Sequence, residues 1–355
     1  MPPGPARAAR PVLWALVLGA AAGLAPAARA ACRACAPAHW ERLALGQSPP
    51  AGLDVSLCAD PERGLVHLFG GRGAEGFLGG LWSLDLAART WRAVEGRGPS
   101  PRSGASLVVE PGTGRLLLFG GYQTDGSGRL QLLNDLWIHA AGEGWRREYL
   151  PSPPPPRAWH AALVAEGRML VFGGFSRAAG PAGAYLQDLW SLSLAEPAWR
   201  RAATDGGPRM AGRPVLTRAP AGGQLGVFGR DGVPIPAAAG FYGLALEDDR
   251  WEAPAPLPGL PLDFGTASPS ADGGRVVLLR GPSFLEPGWW IGSATPGRAC
   301  CSHPAANPGP EGGEGMVCVA EPGRRDAWVC FGGAREKDLS DATWRLVVPA
   351  EGGGP

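Results

Sequence analysis

The sequence predicts an all-β protein in which one four-stranded unit is repeated six times along most of the chain. Three observations favour this class. First, the 355 residues include 56 glycines and 38 prolines, yet hydrophobic residues still contribute 45%. Helical bundles do not hold so many helix-breaking residues, and disordered chains lack this apolar content. The other two observations are a glycine pair and a set of aromatic positions that recur at a nearly constant interval.

The glycine pair follows a short apolar run that ends in phenylalanine. Its six copies, of which the fourth and fifth are degenerate, are centred on Phe69, Phe119, Phe172, Phe228, Leu279 and Phe331. The intervals between successive copies are 50, 53, 56, 51 and 52 residues. A period of about fifty residues is typical of repeat architectures, in which each unit buries its faces against two neighbours.

Aromatic residues and prolines recur in phase with the glycine pairs. Eleven to eighteen residues after each copy lie Trp82, Trp137, Trp190, Tyr242, Trp290 and Trp344. Eight or nine residues later lie Trp91, Trp145, Trp199 and Trp251. The repeats are preceded by Pro50, Pro101, Pro156, Pro208, Pro261 and Pro310. Turn-forming segments separate these positions, so each repeat is predicted to form four short strands joined by tight turns.

These positions resemble the kelch repeat, and the resemblance covers residues 31–349. It implies a six-bladed kelch β-propeller, in which every repeat is one four-stranded blade and aromatic side chains fill the wedge between blades. The sixth repeat lacks its outer tryptophan, whereas a surplus one, Trp40, lies near the N-terminus. We therefore predict that residues 39–45 form an N-terminal strand that completes the last blade.

The first thirty residues are predicted to be a signal peptide. Arg7 and Arg10 precede an apolar stretch at residues 12–24, and Ala28-Arg29-Ala30 offers a cleavage site after Ala30. The chain is therefore expected to be secreted or periplasmic. No later apolar run has membrane-spanning length, so no membrane insertion is expected after signal cleavage. Residues 350–355 are predicted to be a flexible tail.

The seven cysteines suggest a covalent seam between the last two blades. Cys32 and Cys35 lie beside Trp40, and Cys300 and Cys301 occupy the matching outer position of the fifth repeat. One or two disulfides are expected between these pairs in an oxidising compartment, and a zinc site is the alternative. Two further expectations concern buried positions: Cys318 and Cys330 pack as small apolar residues opposite each other on one hairpin, and Cys58 is a free buried thiol.

A candidate binding patch is predicted at the mouth of the central channel. The residue after the repeat proline is Arg102, Arg157 and Arg209 in the second to fourth repeats, and Glu311 in the sixth. Guanidinium groups there would clamp a carboxylate, a sulfate or an acidic peptide, with Trp159, His160 and Arg213 extending the patch. The alternative is that these arginines bond neighbouring loops and have only a structural role.

The remaining motifs point to no catalytic constellation, and neither a metal nor a cofactor is predicted. Copper propellers similar to galactose oxidase need histidines and tyrosines that do not converge in this sequence. Sialic-acid mutarotases are also six-bladed kelch propellers, and Glu311 with one of the arginines would supply their acid–base and carboxylate-binding groups. The proline run at residues 153–156 is interpreted as an inter-blade linker, with a polyproline ligand as the alternative. Asp135 and Asp188 are expected to stabilise turns.

The formal net charge of +1, without a long charge run, gives no indication of a nucleic-acid partner. The sequence therefore predicts an exported propeller that binds an unknown protein, peptide or acidic glycan through one loop face. A carbohydrate-acting propeller of the sialic-acid mutarotase type is the alternative.

Overall fold

A computed structural model describes residues 33–178, 180, 182–202, 213–218, 224–230, 239–247, 250–251, 255–256, 266–281, 288–295, 301–335 and 338–350. Every regular element in these ranges is a β-strand, which confirms the all-β class. Within the same ranges the chain contains no helix with the length and apolar character needed to cross a membrane. The predicted signal peptide, residues 1–30, lies outside the described residues.

Two short strands precede the first repeat: β1 (Arg33–Ala34) and β2 (His39–Arg42). Sheet 1 then consists of β3 (Ser56–Asp60), β4 (Leu65–Phe69), β5 (Leu81–Asp85) and β6 (Thr90–Val94). Its strands pair antiparallel in chain order, with Leu57 opposite Leu68 and Leu68 opposite Trp82. Alternating side chains thereby direct apolar residues to both faces, as a sheet between two neighbours requires.

The next two repeats add a short ladder to the same plan. Sheet 2 contains β7 (Ser106–Val109), β8 (Leu116–Phe119), β11 (Leu136–Ala140) and β12 (Gly144–Glu148), with a ladder of β9 (Tyr122–Thr124) and β10 (Leu130–Leu132). Sheet 3 contains β13 (Ala161–Ala165), β14 (Arg168–Phe172), β17 (Leu189–Ser193) and β18 (Trp199–Arg201), with a ladder of β15 (Phe175–Ser176) and β16 (Ala184–Tyr185). Each ladder starts directly after the glycine pair.

The last three repeats form sheets 4 to 6. Sheet 4 contains β19 (Val215–Arg218), β20 (Gln224–Arg230), β21 (Ala239–Ala245), β22 (Arg250–Trp251) and β23 (Ala255–Pro256). Sheet 5 contains β24 (Thr266–Pro269), β25 (Val276–Arg280), β26 (Trp290–Ala294) and β27 (Cys301–His303), together with β1. Sheet 6 contains β28 (Val317–Ala320), β29 (Ala327–Phe331) and β32 (Thr343–Val347), together with β2, and carries a ladder of β30 (Ala334–Arg335) and β31 (Asp338–Leu339).

The first strands of the sheets surround a common axis. In chain order β3, β7, β13, β19, β24 and β28 each contact the next, and β28 contacts β3. A ring of sheets with their first strands innermost is a β-propeller arrangement. The sequence-based expectation of a propeller is thus confirmed.

Recurring aromatic contacts join neighbouring sheets. The phenylalanine before a glycine pair packs edge-on or tilted against the outer tryptophan of the following sheet. The ring-centroid distances are 5.7 Å for Phe69–Trp145, 5.2 Å for Phe119–Trp199, 5.5 Å for Phe172–Trp251 and 6.0 Å for Phe331–Trp91. These pairs explain why both aromatic positions recur with the repeat, because the two rings of each pair fill the wedge-shaped space between adjacent sheets.

The N-terminal strands lie at the seam between sheets 5 and 6. β2 pairs antiparallel with β32, which places Trp40 opposite Leu346. The Trp40 side chain is 1% exposed, and Asn307 bonds both its backbone N–H and its carbonyl. β1 pairs parallel with β27, and a disulfide joins Cys35 to Cys301. Cys32 and Cys300 lie outside the described residues.

The expectation for Cys318 and Cys330 is wrong in one respect. They do lie opposite each other on the β28–β29 hairpin, but they form a second disulfide instead of packing as reduced apolar side chains. Their Cα atoms are 4.1 Å apart, a separation typical of closely paired positions in an antiparallel ladder, where two sulfurs come within bonding reach. Cys58 is a buried free thiol, as predicted, and burial raises its pKa.

Candidate functional site

Arg102 lies at the inner end of sheet 2 and is 2% exposed. Its Nη1 and Nη2 donate to the two carboxylate oxygens of Asp135 at 2.6 and 2.9 Å. The remaining N–H groups donate to the carbonyls of Ser100 and Gly120 and to the Ser100 hydroxyl. All five guanidinium donors of Arg102 are therefore used within its own repeat.

The same arrangement recurs in sheet 3. Arg157 is 0% exposed, and its Nη1 and Nη2 lie 2.8 and 2.9 Å from the carboxylate oxygens of Asp188. Its other bonds go to the carbonyls of Pro155 and Gly173. In each case the aspartate also accepts the indole N–H of the tryptophan two residues later, Trp190 in this sheet, at 2.7 Å. We call each such set of an arginine, an aspartate and a tryptophan a clasp.

The clasps change the expected role of both aspartates. Asp135 and Asp188 were predicted to stabilise turns, whereas their carboxylates hold a buried arginine and an indole. Burial alone would raise the pKa of Asp188, but the bonds from Arg157 outweigh it and the pKa lies below the ordinary range. The carboxylate is thus ionised at neutral pH, as a buried guanidinium requires.

The described residues of the predicted channel-mouth patch do not come together as one anion clamp. Arg102 and Arg157 are sealed in clasps, which favours the structural alternative for them. Glu311 is 88% exposed on its side chain and lies 3.8 Å from Arg335. Arg209 lies outside the described residues.

His160 is buried against sheet 2. Its Nε2 lies 2.8 Å from the Ser106 hydroxyl, and its ring packs edge-on against Phe119. Burial lowers the pKa of His160 to about 3, so the imidazole is neutral at physiological pH. It serves the packing between sheets 2 and 3 and offers no charge to a ligand.

Two residues that extend the predicted patch, Trp159 and Arg213, belong to a set that surrounds the axis at this end. One residue lies two positions before the first strand of each sheet. In the described residues these are Asp54, Gly104, Trp159, Arg213 and Gly315, which we call the mouth ring. Asp54, Gly104, Trp159 and Gly315 have a positive φ, between 49° and 66°. Backbone bonds link them in succession: Asp54 N–H donates to the Gly315 carbonyl, Gly104 N–H to Asp54, and Trp159 N–H to Gly104.

An ion pair crosses the mouth ring. The two Nη atoms of Arg213 lie 2.6 and 2.8 Å from the carboxylate oxygens of Asp54. Asp54 belongs to sheet 1 and Arg213 to sheet 4, so the pair joins sheets that are not neighbours. The guanidinium carbon of Arg213 also lies 5.5 Å from the Trp159 ring centroid, a cation–π distance. The Arg213 side chain is 49% exposed, so this pair is accessible from solvent.

Aromatic side chains extend outward from the mouth ring over sheets 1 to 3. Successive ring centroids are 5.3, 4.8, 6.3 and 5.7 Å apart along Phe77, Tyr122, Trp159, Phe175 and Tyr185. We call these five residues the aromatic row. Tyr185 is 47% exposed at its outer end, whereas Tyr122 is 7% exposed.

Loop pairing positions the aromatic row. Tyr122 and Phe175 each follow a glycine pair directly and lie opposite Ser103 and Ala158, just before the first strands of their sheets. Gly104 is needed beneath the row, because a Cβ there would approach the Trp159 indole to 3.0 Å. Repeat alignment could have found part of this site, since an aromatic residue follows the glycine pair in two repeats. The mouth ring carries a different residue type in almost every sheet and leaves no recurring signal.

The chemistry of this end is that of a recognition surface. Tyrosine, tryptophan and arginine are the residue types that contribute most to protein–protein affinity. Burial raises the pKa of Tyr122, so its hydroxyl stays protonated. Within the described part of the chain, no group of three or more histidine, cysteine, aspartate or glutamate side chains is placed to hold a metal ion.

Comparisons with known proteins agree with this architecture. A family model described as the KLHDC2/KLHL20/DRC7 Kelch-repeats domain matches residues 31–229. Putative adagio-like protein 2 of Oryza sativa subsp. japonica is 30% identical over 274 residues, which span 70% of this chain and 41% of that protein. Multiple epidermal growth factor-like domains protein 8 of Mus musculus is 31% identical over 232 residues, 61% of this chain and 8% of that protein. The chain thus spans about two fifths of the length of the adagio-like relatives.

Among solved structures, that of YjhT has a TM-score of 0.61 and 16% sequence identity. The match covers 86% of this chain and 97% of that one. At this identity the likeness concerns the fold alone.

Proposed function

Since the chain belongs to the kelch-repeat family, we propose that it is an exported binding module. It engages a protein or peptide through the loop face that carries the mouth ring and the aromatic row. The observation that carries this proposal is the continuous row of five aromatic rings, which ends at the exposed ring of Tyr185 and adjoins the Arg213–Asp54 pair.

The geometry of the row suits recognition of another chain. Its inner rings are held between neighbouring aromatic side chains, so little conformational entropy is lost when a partner covers them. The Arg213–Asp54 pair offers both charges beside an apolar surface, and a partner with complementary groups would bond to them. Function in a propeller resides in its loops, because the strands are committed to packing between sheets.

Of the residues predicted for the carbohydrate-acting alternative, Arg102, Arg157 and Glu311 do not support it, and Arg209 lies outside the described residues. This alternative needs an arginine free to hold a sugar carboxylate and an acidic group nearby. Arg102 and Arg157 have their Nη groups committed to aspartates, and Glu311 is paired at the surface with Arg335.

We also infer that the six sheets are six blades of one closed ring, which β2 completes. The pairing of β2 with β32 and the burial of Trp40 support this closure. Deletion of residues 31–46 should therefore abolish cooperative thermal unfolding. If the shortened chain melted like the full one, β2 would be a dispensable addition to sheet 6.

Export is the remaining part of the proposal. The basic and apolar composition of residues 1–30 supports it, and two disulfides are compatible with an oxidising compartment. Expression with the leader should yield a secreted or periplasmic product whose N-terminal residue, identified by mass spectrometry, is Ala31. Retention of an uncleaved product inside the cell would contradict this part.

The binding face is tested by selecting ligands from a random-peptide display library against the mature protein. For the selected peptides, we expect Tyr185→Ala to raise Kd at least about tenfold, the loss typical of a central aromatic contact. Tyr149→Ala is the matched control, because Tyr149 is 79% exposed on the outer edge of sheet 2. Equal Kd values for the wild type and Tyr185→Ala would show that binding occurs elsewhere.

A further inference from the structure

A recess that is separate from the proposed binding face lies at the outer rim of sheet 2. Its volume is about 560 Å³, within the range of small-molecule sites. Its polar lining comes mainly from Ser100, Gln123, Gln131, Asn134 and Arg147, and Trp137 adds an aromatic side chain. We call it the rim cavity. It goes beyond the proposed function, because it shares no residue with the mouth ring or the aromatic row.

The β9–β10 ladder separates the two sites. Tyr122 and Gln123 are neighbours on β9, so their side chains leave opposite faces of the strand. Tyr122 belongs to the aromatic row, whereas Gln123 lines the rim cavity. Directly opposite on β10, Gln131 joins Gln123 on the cavity side.

A chain of side-chain hydrogen bonds orders the polar lining. The Ser100 hydroxyl donates to Gln123 Oε1 at 2.7 Å, and Gln123 Nε2 donates to Gln131 Oε1 at 2.9 Å. This fixes both amide orientations and leaves the Gln131 Nε2 group as a donor without a partner among the described residues. Asn134 Nδ2 donates to the Pro154 carbonyl, so its Oδ1 remains an acceptor. The cavity thus presents placed donors and acceptors.

The lining of the rim cavity carries a net positive charge of one, from two arginines and one aspartate. Arg102 and Asp135 both line it, but they neutralise each other in the first clasp. Arg147 lies directly opposite Trp137 in the ladder, and its guanidinium carbon is 4.8 Å from the Tyr149 ring centroid. Within the described part of the chain Arg147 has no ion pair as close as those of the clasps, although its charge contributes to lowering the pKa of Asp135. A lining with a net positive charge favours an anionic ligand.

We propose that the rim cavity binds an anionic sugar, a hydroxyl-rich ring with a carboxylate or sulfate group. The acid group pairs with Arg147, the sugar hydroxyls bond to the Gln131 and Asn134 amides, and Trp137 contributes apolar surface. An apolar peptide side chain would bind poorly in this lining. It would remove water from the Gln131 and Asn134 amides without replacing their hydrogen bonds, which is unfavourable.

The test is calorimetric titration of the mature protein with four probes: a glucuronate-containing disaccharide, a sulfated disaccharide, neutral cellobiose and tetraglutamate. We expect saturable binding of at least one anionic disaccharide and at least about tenfold weaker binding of cellobiose, since the charge-assisted bond would be missing. The two anionic disaccharides decide between carboxylate and sulfate. Tetraglutamate that bound as tightly as the sugars would overturn the sugar assignment.

Arg147→Gln should weaken the anionic sugar at least about tenfold. Arg146→Gln is the matched control, because it removes the same charge from the residue just before Arg147 on β12. The Arg146 side chain leaves the opposite face of the strand and pairs with Glu148. Equal losses in both variants would reveal a diffuse charge effect and refute the site. Both side chains are exposed, so unchanged thermal unfolding is expected and is measured alongside. Tyr185→Ala should leave sugar binding intact, so failure of this proposal and failure of the peptide-binding face are distinguishable.

Discussion

Replacing Asp188 by alanine tests whether the clasps hold the propeller together. The change removes two charge-assisted bonds, at 2.8 and 2.9 Å, from a guanidinium that is 0% exposed, and it removes the acceptor of the Trp190 indole. Arg157 would keep only the Pro155 and Gly173 carbonyls. Breaking one partner of a buried pair costs about 3–5 kcal/mol, because the remaining charge is left without a counter-ion.

The assay is urea unfolding at pH 7, followed by tryptophan fluorescence. Asp326→Ala is the matched control, since Asp326 also forms a two-bond pair, with Arg324, but the two side chains are 43% and 40% exposed. An exposed pair contributes about 0–1 kcal/mol. A double variant, Arg157→Met with Asp188→Leu, should recover part of the loss, because it leaves no buried charge.

The outcome decides between the two roles considered for Arg157. A loss for Asp188→Ala no larger than that for Asp326→Ala would show that the guanidinium does not depend on its aspartate. Arg157 would then be available to an anionic ligand, and the structural interpretation of the clasps would be refuted.

Three further predictions follow from buried groups. Burial lowers the pKa of His160 from 6.5 to about 3, so only the unfolded chain gains a proton as the pH falls below 6.5. His160→Gln should therefore reduce the stability lost between pH 7 and pH 4.5 by about 2–3 kcal/mol, measured by urea unfolding at both pH values. Gly120 and Gly112 both have positive φ, but only at Gly120 would a Cβ meet a backbone atom, the Arg157 carbonyl oxygen at 2.8 Å. Gly120→Ala should thus lower Tm more than Gly112→Ala, and equal shifts would contradict the crowding. Cys58 should resist iodoacetamide in the folded protein and react in urea, as peptide masses would show; labelling of the folded protein would contradict its burial.

The period of the sequence was enough to predict the packing of the sheets. Phe69 and Trp145 recur because the same wedge recurs between successive sheets, and a repeated physical need leaves a repeated residue type. The surplus Trp40 likewise indicated a strand beside β32. The propeller fold could therefore be predicted from this one sequence.

The binding face was predictable only in part, because Arg213 and Trp159 were assigned to a channel-mouth patch but their partners were not. Asp54 and Arg213 form a pair across 159 positions of sequence, and the corresponding residues of sheets 2, 3 and 6 are glycine or tryptophan. A periodic pattern identifies only the residues that recur in every repeat. The mouth ring consists of residues that differ from one repeat to the next, so the pattern does not identify it. The sequence shows Arg102 as a cation, but its partner Asp135 lies 33 residues later and is identified only in the folded chain.

The disulfide between Cys35 and Cys301 also determines how the molecule would bear a pulling force. The two cysteines are 266 residues apart, and the segment between them carries sheets 1 to 4 and most of sheet 5. Tension applied between the residues before Cys35 and those after Val347 would pass through the S–S bond and bypass that segment. Only β27, sheet 6 and the contact between β2 and β32 would be loaded. In the oxidised protein most of the ring, including the aromatic row, is thereby shielded from mechanical extension.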